Sequence, residues 1–476
     1  MEEKENIIAS QGTAAGGEET SRTGSVNAQP LAVEIQKDAR IIPIEKLDIS
    51  RLMQLDACTR CGECLNWCPV YDQDKREDII PRTKVRDFYR IIKGQHGLLA
   101  RILSKSGLNE KVKGLIRTVF RLPHVTDDMI TSFVTNLYEC STCGQCQVVC
   151  PSNIDTVNIW ENIREAIVSA GYGPLPQQTP LVKSVKAYDN PWQQPRQARS
   201  KWIRRAKKEG LLKEVPREAK KTHPKILLFL GCTAVYDVNV RQIAINTVNI
   251  LESLGVDYGC LGDAEKCCAS VMLRMGDPEF ERVATQNIDQ FNSLGIETLV
   301  TSCAGCYKTI KQDYPQVKKL EFEVLHTVEL LKRLMDKGLL SFGHRIDKTV
   351  TYHDPCHLGR AAGVFDPPRE ILKSIPGIKL AEMERIYQYS RCCGAGGGVK
   401  AGFPDIQSKM AERRIREAEA TGAQDLVSAC PFCFAGLQVG IKAINSPLIM
   451  SDVTSLVAKA IFGVNAEETA ANLKPE

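Results

Sequence analysis

Two short stretches, "EKCCASVMLRMGD" at 265–277 and "SRCCGAGGG" at 390–398, each place two cysteines side by side. Neighbouring residues on a trans backbone lie about 3.8 Å apart at Cα, whereas an ordinary disulfide spans roughly 5.5–6 Å. A vicinal pair could close only a tiny, strained ring. Two soft thiolates offered from one loop suit a metal centre better. The remaining cysteines point the same way. The chain has 19, and all but one fall into four patterned groups.

Two of the groups are contiguous. "CTRCGECLNWCP" supplies Cys58, Cys61, Cys64 and Cys68, and "CSTCGQCQVVCP" supplies Cys140, Cys143, Cys146 and Cys150. Both read C-x2-C-x2-C-x3-C-P, the iron–sulfur run of bacterial two-cluster ferredoxins, in which the fourth cysteine of each run serves the other cluster. One cubane 4Fe–4S cluster is therefore expected on Cys58, Cys61, Cys64 and Cys150, and a second on Cys140, Cys143, Cys146 and Cys68. A tight loop lets three thiolates grip one face of a cubane, while the proline turns the chain away and the last cysteine crosses over. Paired zinc knuckles are the bland alternative, but zinc sites have no need of two four-cysteine runs each closed by Cys-Pro.

The other two groups share a rarer layout. Cys232, Cys267, Cys268, Cys303 and Cys306 form one, and Cys356, Cys392, Cys393, Cys430 and Cys433 the other. The gaps are 34 and 34 residues in the first and 35 and 36 in the second, and corresponding cysteines lie 124 to 127 positions apart. That is a tandem domain repeat rather than a short solenoid period. The local context repeats too. "KILLFLGC", "TLVTSC", "TVTYHDPC" and "DLVSAC" are apolar, β-rich runs ending at a cysteine, with helical patterns after them. A parallel sheet would deliver these cysteines at the carboxyl ends of its strands. Five thiolates from three loops are one too many for a simple cubane or a zinc site, which points to an unusual iron–sulfur centre.

Composition bounds the rest. At 476 residues, with 43% hydrophobic and 25% charged residues, the chain reads as a soluble protein of several domains. No stretch approaches about 18 consecutive apolar residues, so no membrane span is expected. The opening thirty residues are acidic and rich in small residues, lack the apolar core of a signal peptide, and read as a disordered tail. A cytoplasmic chain with reduced thiols is expected. A net charge of +5 without aromatic–basic alternation argues against nucleic acid as a partner. The expected fold class is α+β and α/β. A tail over 1–45 precedes a helical two-cluster ferredoxin-like module with a helical insertion over 46–171. A basic link over 172–224 leads to two tandem α/β cysteine-rich repeats with parallel-sheet cores over 225–345 and 346–465, and a C-terminal tail over 466–476.

C-x34-CC-x34-C-x2-C, given twice with small variation, resembles the cysteine-rich (CCG) domain of heterodisulfide reductases and related iron–sulfur oxidoreductases. With the ferredoxin-type module in front, the chain is similar to their fused, membrane-associated catalytic subunit of the D type. The resemblance runs from about residue 50 to 460. It implies a noncubane 4Fe–4S cluster on Cys232, Cys267, Cys268, Cys303 and Cys306, another on Cys356, Cys392, Cys393, Cys430 and Cys433, and a disulfide cleaved, or two thiols oxidised, between them. It implies a membrane subunit carrying haem b or a quinone site as partner, a place on the cytoplasmic face of the membrane, and a small disulfide or a small cysteine-bearing protein as substrate. One departure is Ala269, where the family motif has the glycine that the second repeat keeps as Gly394. Relatives with the same fused layout serve glycolate, lactate or glycerol-3-phosphate dehydrogenases as electron-transfer subunits without a substrate of their own. The separation of about seventy residues between the ferredoxin runs and the wording of "CCASVMLRMGD" resemble the reductase branch more.

Weaker landmarks remain. Cys260 reads as a buried, inert thiol, with a cluster ligand or redox switch as the sharper alternative. His353 and His357 flank Cys356 and suit either proton donation to a departing thiolate or a hydrogen bond orienting a ligand. "GAGGGVK" at 394–400 lacks a phosphate loop's ending, so its glycines are expected to bring backbone close to cluster sulfurs. Arg360, Arg391 and Lys400 could attract an anionic thiol or be solvated surface. "KWIRRAKKEGLLKEVPREAKK" could lie on anionic lipid or on a membrane subunit, or present a solvated helix face.

Overall fold

The computed structural model describes residues 39–463. The tail readings for residues 1–38 and 466–476 fall outside it. Residues 39–45 are described, and Ile42 is buried in the core of the helical module that follows.

That module is all helix. Ile49–Asp56 starts on the Asp48 carboxylate, which accepts from Arg51 N, and Asp127–Tyr138 starts on the Thr126 hydroxyl, which accepts from Met129 N. Thr156–Ser169 is capped by Asp155 in the same way. Between the two ferredoxin-type runs lie Pro81–His96, Leu98–Lys105 and Glu110–Val119, so the insertion is helical. Phe88, Phe133, Leu137, Trp160 and Ile163 fill the core between these helices.

Each repeat is built on a four-stranded parallel sheet. The first contains β1 (Ile226–Phe229), β2 (Tyr258–Gly259), β3 (Thr298–Thr301) and β4 (Glu323–His326), in the order β2-β1-β3-β4. The second contains β5 (Lys348–His353), β6 (Ile378–Leu380), β7 (Asp425–Ser428) and β8 (Ile449–Asp452), in the order β6-β5-β7-β8. Helices cover both faces, so the central strands are continuous apolar runs rather than alternating ones. Leu227, Leu228 and Phe229 are buried in β1, as are Leu426 and Val427 in β7. In this topology the first connection leaves to one side and the second to the other. The crevice at the carboxyl ends of β1 and β3, or of β5 and β7, is therefore where functional groups collect.

The two repeats pack about a pseudo-two-fold axis. Gln242–Ser253, after β1, lies against Val453–Phe462, after β8, while Thr327–Asp336, after β4, lies against Asp366–Ser374, after β5. Each repeat thus offers the same two helices to the other, in exchanged roles. One apolar core runs through both sheets.

The helical module is clamped onto both repeats. The loop Gly394–Gly398 lies on the second ferredoxin-type run: a Cβ on Gly396 would fall 2.8 Å from the Ser141 carbonyl oxygen, and one on Gly397, at φ +60°, would collide with the Cys140 carbonyl. The glycines were expected to bring backbone close to cluster sulfurs. Gly394 N–H donates to Cys392 Sγ at 3.3 Å, whereas Gly396 and Gly397 admit the backbone of the neighbouring module. The stretch 172–224 also differs from a free link, since Trp202, Ile203, Ala206 and Leu212 are buried in the core of the first repeat.

This packing gives a prediction. Gly397→Ala should lower stability by about 2–5 kcal/mol, summing left-handed backbone strain and overpacking. Gly422→Ala, at φ +70° with nothing within 4 Å of the new methyl, should cost only roughly 1–2 kcal/mol. Anaerobic chemical denaturation compares the two. Equal midpoints would show that loop and ferredoxin-type run do not press together.

Candidate functional site

The strand order brings the cysteines to one crevice per sheet. Cys232 opens the helix after β1, Cys303 follows β3, and Cys306 sits one turn into the helix Ala304–Lys308. In the second repeat Cys356 follows β5, Cys430 caps the helix Pro431–Ala443 after β7, and Cys433 lies in its first turn. The vicinal pairs come in on the loops after β2 and β6.

Side-chain contacts join all ten into a row. Cys232 touches Cys267, Cys267 touches Cys268, and Cys268 Sγ lies 3.3 Å from Cys306 Sγ. Cys306 touches Cys303, and Cys303 touches Cys430 of the other repeat. From there the row runs through Cys433, which is 3.6 Å from Cys393, then to Cys392 and Cys356. Cys303 and Cys430 are equivalent positions, so their contact marks the pseudo-two-fold axis.

Electrostatics follow from this crowding. Contacts with Cys267 and Cys306 pull Cys268 down to about 6, and those with Cys392 and Cys433 hold Cys393 well below its ordinary value. Contacts with Cys303 and Cys433 do the same for Cys430. Cys433 is pushed up in turn, by its bonds to Cys393 and Cys430 and then by burial. The loops are held from outside the row. Asn287 donates to the Cys267 carbonyl at 2.9 Å and to the Tyr314 hydroxyl, which donates to the Cys268 carbonyl. Gln407 donates to the Cys393 carbonyl at 3.2 Å. Glu265 accepts from Leu230 N, Gly231 N and Arg199, whose guanidinium lies 3.6 Å from Cys232 Sγ. Sequence reading missed Asn287, Gln407, Arg199 and Glu265. Only the nearness of Glu265 to a vicinal pair could have flagged one of them.

The ferredoxin-type cysteines gather beside this row. A small pocket is lined by Cys68, Cys140, Cys143 and Cys146, together with the buried Lys84. Cys58 and Cys61 lie near Cys64, whose thiol burial pushes up to about 11, and Cys58 and Cys150 border the same core. Cys143 also touches Cys392. The module and the second repeat therefore meet thiol to thiol.

The remaining landmarks are placed as well. Arg414 Nε donates to His353 Nδ1 at 3.2 Å, which leaves the hydrogen on Nε2. That buried Nε2 has no partner, and a ring nitrogen of His353 lies within 4.8 Å of Cys393 Sγ and Cys433 Sγ. His357 Nε2 lies 3.4 Å from the Thr142 carbonyl. Burial, with nearby cations, pushes both imidazoles down to about 3. Arg360 is no free anion site: it donates to the Cys143 carbonyl at 2.7 Å, Gln145 Oε1 at 2.5 Å and the Gln388 carbonyl, clasping the ferredoxin-type run to the second repeat. Arg391 pairs with Asp72 at 2.8 Å. Cys260 is buried in the apolar core, and burial raises its thiol. Ten close-packed thiols, nine of them buried, a pocket walled by four more and an imidazole with an unpartnered N–H on a ring near two of the sulfurs form a donor set suited to iron–sulfur clusters.

The comparisons agree with this chemistry. A 4Fe-4S dicluster domain matches residues 54–154, and a cysteine-rich domain matches twice, over 226–311 and 350–438. The chain is 36% identical, over 88% of its length and 97% of the relative's, to the D-type subunit of dihydromethanophenazine:CoB–CoM heterodisulfide reductase from Methanosarcina mazei. It belongs to the family of D-type heterodisulfide reductase subunits. The corresponding subunit of Methanosarcina barkeri is 37% identical over 88% of this chain and 97% of its own. An EtfAB:quinone oxidoreductase of Syntrophomonas wolfei is 28% identical over 88% of this chain, which spans 60% of that longer protein. This heterodisulfide reductase homologue is thus an iron–sulfur oxidoreductase, and among its described residues no helix is long and apolar enough to cross a membrane.

The departure at Ala269 now has a geometry. It is fully buried at φ +59°, where Gly394 of the second repeat takes φ +82°. Ala269→Gly should therefore raise stability by about 0.5–1 kcal/mol by relieving left-handed strain, with iron content unchanged. Gly394→Ala, whose methyl would lie 3.1 Å from the Gln407 carbonyl oxygen, should lose about 2 kcal/mol or more. Thermal unfolding of the iron-loaded proteins reads both. A lower midpoint for Ala269→Gly would show that the position is not strained.

Proposed function

We propose that the chain is the catalytic subunit of a disulfide/thiol oxidoreductase, reducing a disulfide or running the reverse oxidation of two thiols. Two cubane 4Fe–4S clusters would be held by Cys58, Cys61, Cys64 and Cys150 and by Cys140, Cys143, Cys146 and Cys68. Two noncubane 4Fe–4S clusters would be held by the five cysteines of each repeat. The observation that carries the reading is the row of ten thiols, complete on both sides of the Cys303–Cys430 contact. When bound, such clusters supply one-electron transfer and sulfur-directed metal sites at which an S–S bond can be split.

The chain's own residues prepare that chemistry. Asn287 and Gln407 fix the carbonyls of Cys267 and Cys393 and so set the direction of both vicinal pairs. Burial of Cys303, Cys306, Cys430 and Cys433 excludes water where the repeats meet. The His353 ring lies close to Cys393 and Cys433 and keeps an unpartnered Nε2–H, and Arg199 offers positive charge to Cys232. The Cys143–Cys392 contact makes the second repeat the neighbour of the ferredoxin-type module, and a membrane subunit carrying haem b or a quinone site is the partner on that module's side. The substrate class is a small disulfide pair or a small protein with a cysteine arm.

Two measurements test this. Anaerobically prepared protein should carry about sixteen irons per chain, four in each of four clusters. A value near eight would leave the repeats unloaded and remove the proposal. Cys393→Ser replaces a soft ligand by a hard one. It should keep the cubane signals and electron uptake from an artificial donor while losing at least about a hundredfold of disulfide reduction. Cys260→Ser should keep activity. Full activity in Cys393→Ser, or no thiol-dependent spectroscopic signal in fully loaded wild type, would favour a pure electron relay like that implied by the quinone-oxidoreductase relative.

A further inference from the structure

Among the described residues nothing covers one face of the helices Leu98–Lys105 and Glu110–Val119. In the ten-residue second helix no residue is buried, and in the first only Leu103 is. Leu98 is 76% exposed, Ile102 55%, Leu115 65% and Val119 67%, and Leu108 and Phe120 are exposed as well. Val112, Leu115, Ile116 and Val119 follow an i, i+3, i+4, i+7 pattern and so form one stripe. The space around Gly107 and Gly114 is open too, since an added Cβ at either would meet nothing within 4 Å. Short helices draw their stability from the face they bury. This pair buries almost none against the rest of the described molecule.

The charge around the stripe indicates what covers it. From 98 to 121 the basic residues are Arg101, Lys105, Lys111, Lys113, Arg117 and Arg121, and the only acidic one is Glu110. Lys113 and Arg117 project on one side of the stripe and Lys111 on the other, at 100° per residue. An apolar face edged by lysine and arginine fits an anionic lipid surface, with the leucines and valines at acyl depth and the cations at the phosphates. The basic helix Lys201–Lys208 is unsuited to that role because its apolar residues Trp202, Ile203 and Ala206 are already buried within the protein.

We propose that the helical pair 98–121 is a lipid-binding element that seats the chain on an anionic membrane surface without spanning it. The proposal does not depend on the disulfide chemistry, and its test does not use activity. The full-length, iron-loaded protein is sedimented with vesicles of phosphatidylcholine alone or mixed with phosphatidylglycerol. Binding is expected to the mixed vesicles and to weaken as salt rises. Leu115→Ser with Val119→Ser should lower partitioning at least about tenfold. Arg101→Glu with Lys111→Glu should lower it by about twenty-fivefold or more, at roughly fivefold per cation removed. All four positions are exposed, so iron content and thermal midpoint should stay unchanged and show that folding is intact. Wild type that ignores both vesicles would overturn the proposal. So would variants that bind vesicles as wild type does but fail to co-purify with a membrane protein, which would make the face a protein contact. Sedimentation as a dimer that the serine variants abolish, without vesicle binding, would assign it to a second copy instead.

Discussion

The Arg164 guanidinium is the junction on which the rest of the molecule is assembled. It is fully buried on the helix Thr156–Ser169 and fills four of its donors with carbonyls from three separate segments: Leu137 and Cys140 in the helical module, Arg274 in the first repeat and Gly397 in the second. The Tyr138 ring lies 4.6 Å from its centre. Taking a cation out of water is expensive, and these four acceptors offset much of that cost. The acceptors exist only when all three parts are docked. The charge thus favours the assembled arrangement over any arrangement with one part detached. Around it, Arg274 reaches Glu161 at 2.6 Å and Asp313 at 3.1 Å, and Lys308 reaches Asp313 at 2.6 Å, all buried. Gly276 lets the first repeat close onto the Arg164 backbone itself.

From that junction the thiol row follows by symmetry. Two copies of one sheet topology, packed so that each offers the same helices to the other, must bring some residue against its own counterpart. Here it is Cys303 against Cys430. The strand order has already placed the other four cysteines of each set around the same crevice, so joining two crevices at one equivalent pair produces a single row rather than two isolated sites. The Cys140 carbonyl held by Arg164 belongs to the run that also carries Cys143, and Cys143 reaches Cys392. The clamp that docks the module is therefore adjacent to the contact that joins it to the row.

Much of this was legible in the sequence because chemistry and fold coincide there. β1, β3, β5 and β7 are the apolar runs that end at cysteines, and both signals mark them. β4, β6 and β8 carry no ligand, and β6 is three residues whose middle one is Lys379, so neither a motif nor an apolar run announces them. Ala269 was conspicuous only as a departure, and its left-handed backbone explains why a glycine belongs there. The glycines at 396 and 397 were visible as a need for close approach, but what approaches them, the Cys140–Ser141 backbone, is more than 250 residues away in the chain. Arg164 had no signature at all. Its function lies in four carbonyls from distant segments, and backbone carbonyls leave no trace in the choice of residue. Arg360 misled for the same reason: a lone arginine near a metal motif looks free until the carbonyls that occupy it are in place.

The two repeats match in ligands but not in surroundings. Around Cys232 the first repeat sets a buried Arg199–Glu265 pair, with the carboxylate also accepting two backbone N–H groups of the β1 loop. At the equivalent place the second repeat sets Cys356 beside Arg360, whose guanidinium is spent on the ferredoxin-type run. His353, with its Nε2–H turned free by Arg414, has no counterpart in the first repeat, where β1 ends in Phe229. Cys143 adjoins Cys392, next to the Cys356 end of the row, and Cys232 lies at the other end. The Cys303–Cys430 pair lies midway along it. Any group bound at that midpoint faces two ligand sets alike in number, yet among the described residues only the second of them contacts a thiol of the helical module. Duplication supplied the matching halves, and the docking around Arg164 made them unequal.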